Sequence, residues 1–356
     1  MPDVLLFGAT GYTGRLTADA LARRGADFAI CGRSAEKLEA LGDKTGCSDV
    51  RIASAGDADA LVQALDGVKV LITCVGPFIQ LGDTAVEAAI RARVHYVDST
   101  GESEFIADLI ARRSDQAKTV GIAMAPALGF DEAPSDVAAT IATEGMHDPE
   151  LILTYAVPAT PSAGTAKSTL HIMTRRARWI EDGAESFVET GRKSRWAPMP
   201  APLGPKRSVS LPLAEGYLAP LHIDLKSLRL YGTVGRAQEL ALKTVPAMRL
   251  LLGIPPVRGG LEFLLERTVR GPEGEARDAP WTILAEAVSK NDRRNVVIQG
   301  KDVYGLTAEC LATAALHMAD EDFNETGVLA PVQAVGLAKL QKELVEQGVS
   351  IEVFES

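Results

Sequence analysis

Short apolar runs alternate with longer segments whose apolar residues recur at three- and four-residue spacing through the first 125 residues. That rhythm is the signature of a parallel sheet wound with helices. It predicts strands at 4–7, 28–31, 50–53, 68–74, 94–97 and 119–125, with helices between them. The unbroken apolar run Val70-Leu71-Ile72 implies burial on both faces, as a sheet covered by helices on both sides requires. Six such strands suit a doubly wound Rossmann arrangement in the α/β class.

The pattern changes after residue 136. It predicts a helix at 135–143, a strand at 151–157 and a long helix at 165–180. Pro198, Pro200, Pro202 and Pro205 then mark an exposed loop, because proline lacks the N–H that helices and ladders use. Strict alternation over 281–289, a polar turn and the apolar run 296–299 read as a hairpin. Helical patterns at 307–318 and 332–345 precede a last strand at 349–354. The expected organisation is a dinucleotide-binding domain at 1–136, an α+β substrate domain with an antiparallel sheet at 137–303, and C-terminal helices and a strand at 304–356 that return to the first domain.

With 46% hydrophobic and 24% charged residues, a chain of 356 residues can bury a substantial core, so disorder is excluded. A net charge of -10 disfavours a nucleic-acid partner. Cys31, Cys47, Cys74 and Cys310 form no CxxC pair and no zinc spacing with His95, His147, His171, His222 and His317, so no metal is expected. The N-terminus shows no secretory pattern, and the uncharged stretch 70–82 is broken by Gly and Pro and too short to span a bilayer. A cytoplasmic protein with no integral membrane segment is expected, and a homodimer stays open.

Gly8-Ala9-Thr10-Gly11-Tyr12-Thr13-Gly14 follows the first strand and opens the first helix. Glycine there permits a tight turn and lets backbone N–H groups reach a pyrophosphate, whose charge the helix N-terminus stabilises. At the end of the second strand, Arg33, Ser34 and Lys37 stand where an acidic residue would bind a ribose 2′-hydroxyl. Arginine suits a 2′-phosphate instead, so NADP(H) is the expected cofactor. The alternative is a solvated helix start. Three further segments fall at the carboxyl ends of later strands: Cys74-Val75-Gly76-Pro77-Phe78, the 96–102 run containing Thr100, Gly101 and Glu102, and the 129–136 run containing Phe130 and Asp131. Ligands of open α/β sheets bind at that edge; turn and cap chemistry is the competing explanation. Cys74 reads as a small buried hydrophobe rather than a nucleophile.

In this order, GATGYTG with CGR, CVGPF, YVDSTGE and GFDEAPSD resemble the saccharopine dehydrogenase-like oxidoreductases, especially the branch with trans-acting enoyl reductases. The likeness continues more loosely through 162–168, 304–308 and 327–331. It implies an NADP-type Rossmann domain, a substrate domain, and hydride transfer to an activated C=C of a small or carrier-bound acyl substrate. An imine or ketone acceptor is the in-class alternative, and a dinucleotide-sensing regulator the alternative from another class. The run Gly129-Phe130-Asp131-Glu132-Ala133-Pro134 departs from the pattern of enzymes acting on saccharopine itself, which argues against a lysine-pathway role.

No Tyr-x-x-x-Lys pair, GxSxG elbow, HExxH pair or Walker A loop is present. Asp131 and Glu102 are the candidate acid or clamp residues, since a carboxyl group in a partly dry cleft can keep and donate a proton. Either could instead cap a helix. On the expected helix at 165–180, Lys167, His171, Arg175 and Arg178 form one basic stripe, with Ala166, Leu170, Met173, Ala177 and Ile180 as the apolar one. The basic stripe, with Phe130, is the candidate substrate side, attracting an anionic carrier. A solvated helix face is the plain alternative.

Overall fold

The computed structural model describes residues 1–157, 175–235 and 279–355. In chain order the elements are β1 (Val4–Phe7), α1 (Tyr12–Arg23), β2 (Phe28–Gly32), α2 (Ala35–Thr45), β3 (Val50–Ile52), α3 (Ala58–Ala64), β4 (Val70–Thr73), α4 (Phe78–Ala92), β5 (His95–Asp98) and α5 (Ser103–Asp108). A π turn, Leu109–Arg113, leads into α6 (Ser114–Val120), followed by β6 (Ala123–Ala125) and α7 (Glu132–Thr143). Then come β7 (Glu150–Ala156), β8 (Arg176–Glu181), β9 (Ala184–Glu189), β10 (Ser194–Ala197), β11 (Lys206–Ser210), β12 (Ser227–Thr233), β13 (Trp281–Val288), β14 (Arg293–Gly300), β15 (Gly327–Val328) and β16 (Ser350–Glu355).

The chain divides into two units, Met1–Ala133 with Val303–Glu343, and Pro134–Asp302 with Leu344–Ser356. The first holds a parallel sheet in the order β15-β6-β5-β4-β1-β2-β3. The order reverses at β1, which lies between β2 and β4. Every residue of β1 and β4 is buried. Leu5, Phe7, Leu71, Tyr96 and Met124 pack into one core cluster, while the alternate residues Val4 and Leu6 are fully buried too. A large apolar side chain buried this way contributes about 1.5–3 kcal/mol. The unbroken apolar runs are thus explained by burial on both faces.

The helix Val303–Met318 joins this unit and is buried along most of its length. Glu309 accepts hydrogen bonds from Arg23 (2.5 Å) and Arg24 (2.6 Å) at the end of α1, and Arg24 also reaches Glu343 (2.7 Å). Two like charges at the end of α1 are therefore matched by two buried acids from the C-terminal segment, which fixes the helix against α1.

The second unit holds a mixed sheet in the order β10-β11-β12-β7-β13-β14-β16, with β8 and β9 attached through β12. The hairpin expected from the 281–299 pattern is β13–β14. The pairing of β7 with β12 is parallel, whereas the neighbouring pairs are antiparallel.

Several expectations need correction. The 119–125 strand begins only at Ala123, because Gly121 (φ 77°) ends α6 in the left-handed region. A seventh strand, β15, pairs with β6 and is too short to announce itself by periodicity. The 332–345 helix is two helices, Pro331–Val335 and Leu337–Glu346, separated by Gly336 at φ 89°. The last strand does not return to the first sheet; it pairs antiparallel with β14. The Pro-rich loop is exposed at Pro198, Pro202 and Pro205, as expected, but its Met199 turns inward to join Ala197, at the end of β10, in a small cluster with Leu284 and Val297. Finally, the described end of the expected 165–180 helix is the strand β8, where buried Ala177 and Trp179 alternate with Arg176 and Arg178. Arg175 lies in a bend before it, and Lys167 and His171 lie outside the described residues. The basic helical stripe is therefore not formed by Arg175 and Arg178.

Candidate functional site: the carboxyl edge of the parallel sheet

The loop after β1 is shaped by its glycines. Gly8 has φ 81°, and both Gly8 N and Ala9 N donate to Cys31 O at the end of β2 (2.9 and 3.3 Å). A Cβ on Gly14 would lie 2.2 Å from Gly8 O, and one on Gly8 would lie 2.7 Å from Val75 Cγ2. Only glycine lets α1 approach the loop this closely. Gly11 is the N-cap of α1, with no side-chain cap and no acid in the first turn. The helix start thus keeps its partial positive charge for an external anion. Tyr12 meets Tyr304 edge to face at 4.9 Å, and Arg15 donates to Thr10 O (2.6 Å). Thr13 O accepts from the Thr17 hydroxyl (3.0 Å).

At the end of β2, Ser34 is the N-cap of α2 without a side-chain cap bond. Arg33 and Lys37 are exposed, and neither has an ion pair or hydrogen bond among the described residues. The nearby Arg51 is committed differently, to Asp49 and to the carbonyls of Ala64 and Asp66. Two cations therefore stand available beside the glycine loop. The loop and these cations fit a dinucleotide bearing a 2′-phosphate.

Beyond the reversal, three more loops end their strands on the same edge. Cys74 N donates to Phe7 O (3.0 Å), and burial pushes the Cys74 thiol up to about 12, so it is a neutral packing group. Val75 packs on the glycine loop, and a cis Gly76–Pro77 bond leads into α4 at Phe78. There Glu102 acts as a remote cap: Oε1 accepts from Phe78 N and Oε2 from Ile79 N, both at 2.9 Å. Glu102 N in turn donates to Thr100 Oγ1 (3.1 Å).

Asp98 is fully buried at the end of β5. Its Oδ1 accepts from Thr100 N (2.8 Å) and Ala127 N (2.9 Å), and Oδ2 accepts from the Tyr96 hydroxyl (2.6 Å). Burial raises the Asp98 carboxyl to about 6, although these donors favour its charged form. Burial, with the Asp98 charge beside it, also pushes Tyr96 well above its usual range and keeps it a donor. Ala127 sits at φ 62°, a conformation that non-glycine residues rarely take, and the bond to Asp98 holds it there. An acid at the end of the strand His95–Asp98, directly after Val97, is the signal the sequence carries for Asp98.

Asp131 is half-buried and has no hydrogen bond or ion pair among the described residues. A Cβ on Gly129 would lie 2.8 Å from Asp131 Oδ1 and 2.6 Å from Glu132 Oε2; one on Gly101 would lie 2.9 Å from Glu132 Oε1. These glycines make room for the two acids. Phe130 N donates to Thr307 Oγ1 (3.0 Å), so the helix Val303–Met318 also fixes this loop.

In the second unit Arg178 is bound by Glu185 and Gly216 O, with its guanidinium 5.0 Å from the Tyr217 ring centre. Glu215 accepts from Ser135 (2.6 Å) and from Tyr155, and His222 Nε2 is 2.7 Å from Asp136 Oδ1.

This edge defines a dinucleotide-binding domain of the doubly wound kind. Residues 4–125 match the family described as saccharopine dehydrogenase NADP binding domain, so the first unit carries an NADP-binding domain of that type. Trans-acting enoyl reductase from Mycobacterium ulcerans is 37% identical over 38% of this chain and 34% of its own length, and its namesake from Mycobacterium leprae is 36% identical over the same shares. The chain thus aligns with about a third of the length of these relatives. Saccharopine dehydrogenase (L-Glu forming) from Saccharomyces cerevisiae shares the fold over all of both chains, with a TM-score of 0.67 at 14% identity. Among the described residues, no helix is long and apolar enough to cross a membrane.

Proposed function

We propose that the chain is an NADPH-dependent oxidoreductase that reduces the activated C=C of an acyl substrate, free or carrier-bound. The observation that carries the reading is the glycine loop with its uncapped helix start and, beside it, two exposed cations that have no partner among the described residues. The acyl substrate is supported by the relatives named trans-acting enoyl reductase.

NADPH, when bound, supplies the hydride. The first-turn N–H groups of α1 bind the pyrophosphate, and Arg33, Ser34 and Lys37 bind the 2′-phosphate. The turn 74–78 with Thr100 and Gly101 forms the other half of the cofactor wall. Conjugate reduction also needs a proton, and Asp131 is the residue to hold it, because its carboxyl makes no hydrogen bond or ion pair among the described residues. Glu102 is unsuited to that task, since each of its oxygens already accepts from a backbone N–H. Phe130 lies next to Asp131 and offers an apolar surface to the acyl chain.

NADPH consumption with an enoyl thioester, a cyclic imine and a ketone tests the reading. Turnover with the thioester supports it. Turnover only with the imine or ketone moves the assignment within the class. Tight NADPH binding with no turnover on any of the three removes the enzymatic part in favour of a dinucleotide sensor.

A further inference from the structure

The loops after β4, β5 and β6 are joined by side-chain carboxylates rather than by any ladder. Glu102 reaches back to Phe78 N and Ile79 N, so the start of α4 is tied to the β5 loop. Thr100 links the two acids, donating its N–H to Asp98 and accepting from Glu102 N. Asp98 then holds the β6 loop through Ala127 N, while its carbonyl accepts from Leu128 N (2.8 Å). One connected set of bonds runs from Ala127 to Phe78 across three strand ends. In a doubly wound sheet the dinucleotide lies across the reversal of strand order, one half over each side. Here β1, β2 and β3 carry the glycine loop and Arg33, whereas β4, β5 and β6 carry the carboxylate set.

We propose that Glu102, acting through Thr100 and Asp98, is a positioning residue for the nicotinamide half of the cofactor. It holds the 76–79 turn and the β5 and β6 loops in their receiving arrangement before the cofactor arrives, so that binding does not have to order them. The inference rests on the NADP reading of the site. Its chemistry is specific to a carboxylate. Both oxygens must accept, so an amide at this position would set an NH2 group against a backbone N–H.

The test is a titration of NADPH and of 2′,5′-ADP, which carries only the adenosine half, against the parent, Glu102→Gln and Thr100→Val. In Glu102→Gln the NADPH dissociation constant should rise about tenfold, with the change in NADPH fluorescence on binding reduced. Affinity for 2′,5′-ADP should stay within about twofold. Thr100→Val should follow the same pattern more weakly, and it decides the matter alone if Glu102→Gln does not fold. Unchanged NADPH affinity overturns the proposal. So does an equal loss for both ligands, which is what a merely structural cap would produce. If the parent binds neither ligand, the NADP reading itself falls; if the parent binds both and the variants match it, that reading stands and only the positioning role is lost.

Discussion

At the ends of β1 and β2 the chain offers backbone and exposed cations: three glycines that admit no Cβ cheaply or stand at the helix start, and Arg33 and Lys37 with no partner among the described residues. At the ends of β4 and β5 it offers buried carboxylates already satisfied from within, Glu102 by two amides and Asp98 by two amides and a phenol. The first region is open chemistry waiting for an anion. The second is closed chemistry that sets shape. A single sheet edge can thus separate recognition from positioning, because parallel strands deliver successive loops to the same side whatever those loops contain.

The sharpest way to break this contrast is at Gly14. Gly14→Val would drive a side chain into Gly8 O and Ala9, so NADPH binding should fall by more than about a hundredfold, or the domain should fail to fold. Retained affinity in a titration would show that the loop is not the pyrophosphate site. Next in size, Asp131→Asn should lower turnover about a hundredfold with NADPH affinity little changed, the signature of a lost proton donor. Unchanged single-turnover rates would remove Asp131 from the chemistry. Arg33→Ala should weaken NADPH by about thirtyfold and NADH hardly at all. Equal losses for the two cofactors would transfer the 2′-phosphate to another group.

The smallest effect concerns the closed region and its dependence on pH. Asp98 in the folded chain takes up its proton at about 6, above an ordinary carboxyl, because burial disfavours the charge. The folded form therefore binds this proton more tightly than the unfolded chain. The resulting stabilisation is complete below roughly pH 4 and is lost as the pH rises through about 6. An amide fits the same bonds, since Oδ1 can still accept from Thr100 N and Ala127 N while NH2 faces the Tyr96 hydroxyl. Asp98→Asn should accordingly exceed the parent in stability near pH 7.5 by ~1–2 kcal/mol and lose that advantage below about pH 4. Urea midpoints that differ by the same amount at both ends of the range would show that Asp98 does not titrate in this window.

The two regions were also unequally legible in the sequence. The glycine loop could be read because its requirement is local, a strand, a tight turn and a helix start within a few residues. The role of Glu102 could not, because its partners lie 24 and 23 residues away and are backbone groups that any residue type would supply. The misleading periodicity at β8 has a different origin. Ala177 and Ile180 are three apart and imitate a helical face, yet buried Ala177 and Trp179 alternating with exposed Arg176 and the Glu185-bound Arg178 mark a period of two. The strand β15 owes its place to pairing with β6 and not to its own two residues.

The buried helix Val303–Met318 bears on how the protein is made. Residues Met1–Ala133 contain the glycine loop but not Thr307, Glu309, Glu343 or β15, which close the same unit from the far end of the chain. During synthesis, the whole segment Pro134–Asp302 emerges before those groups exist. At ordinary elongation rates that interval is on the order of ten seconds. For that time the nascent cofactor domain exposes the apolar flank of α1 and the open edge of β6, and a chain interrupted in the second unit leaves both uncovered.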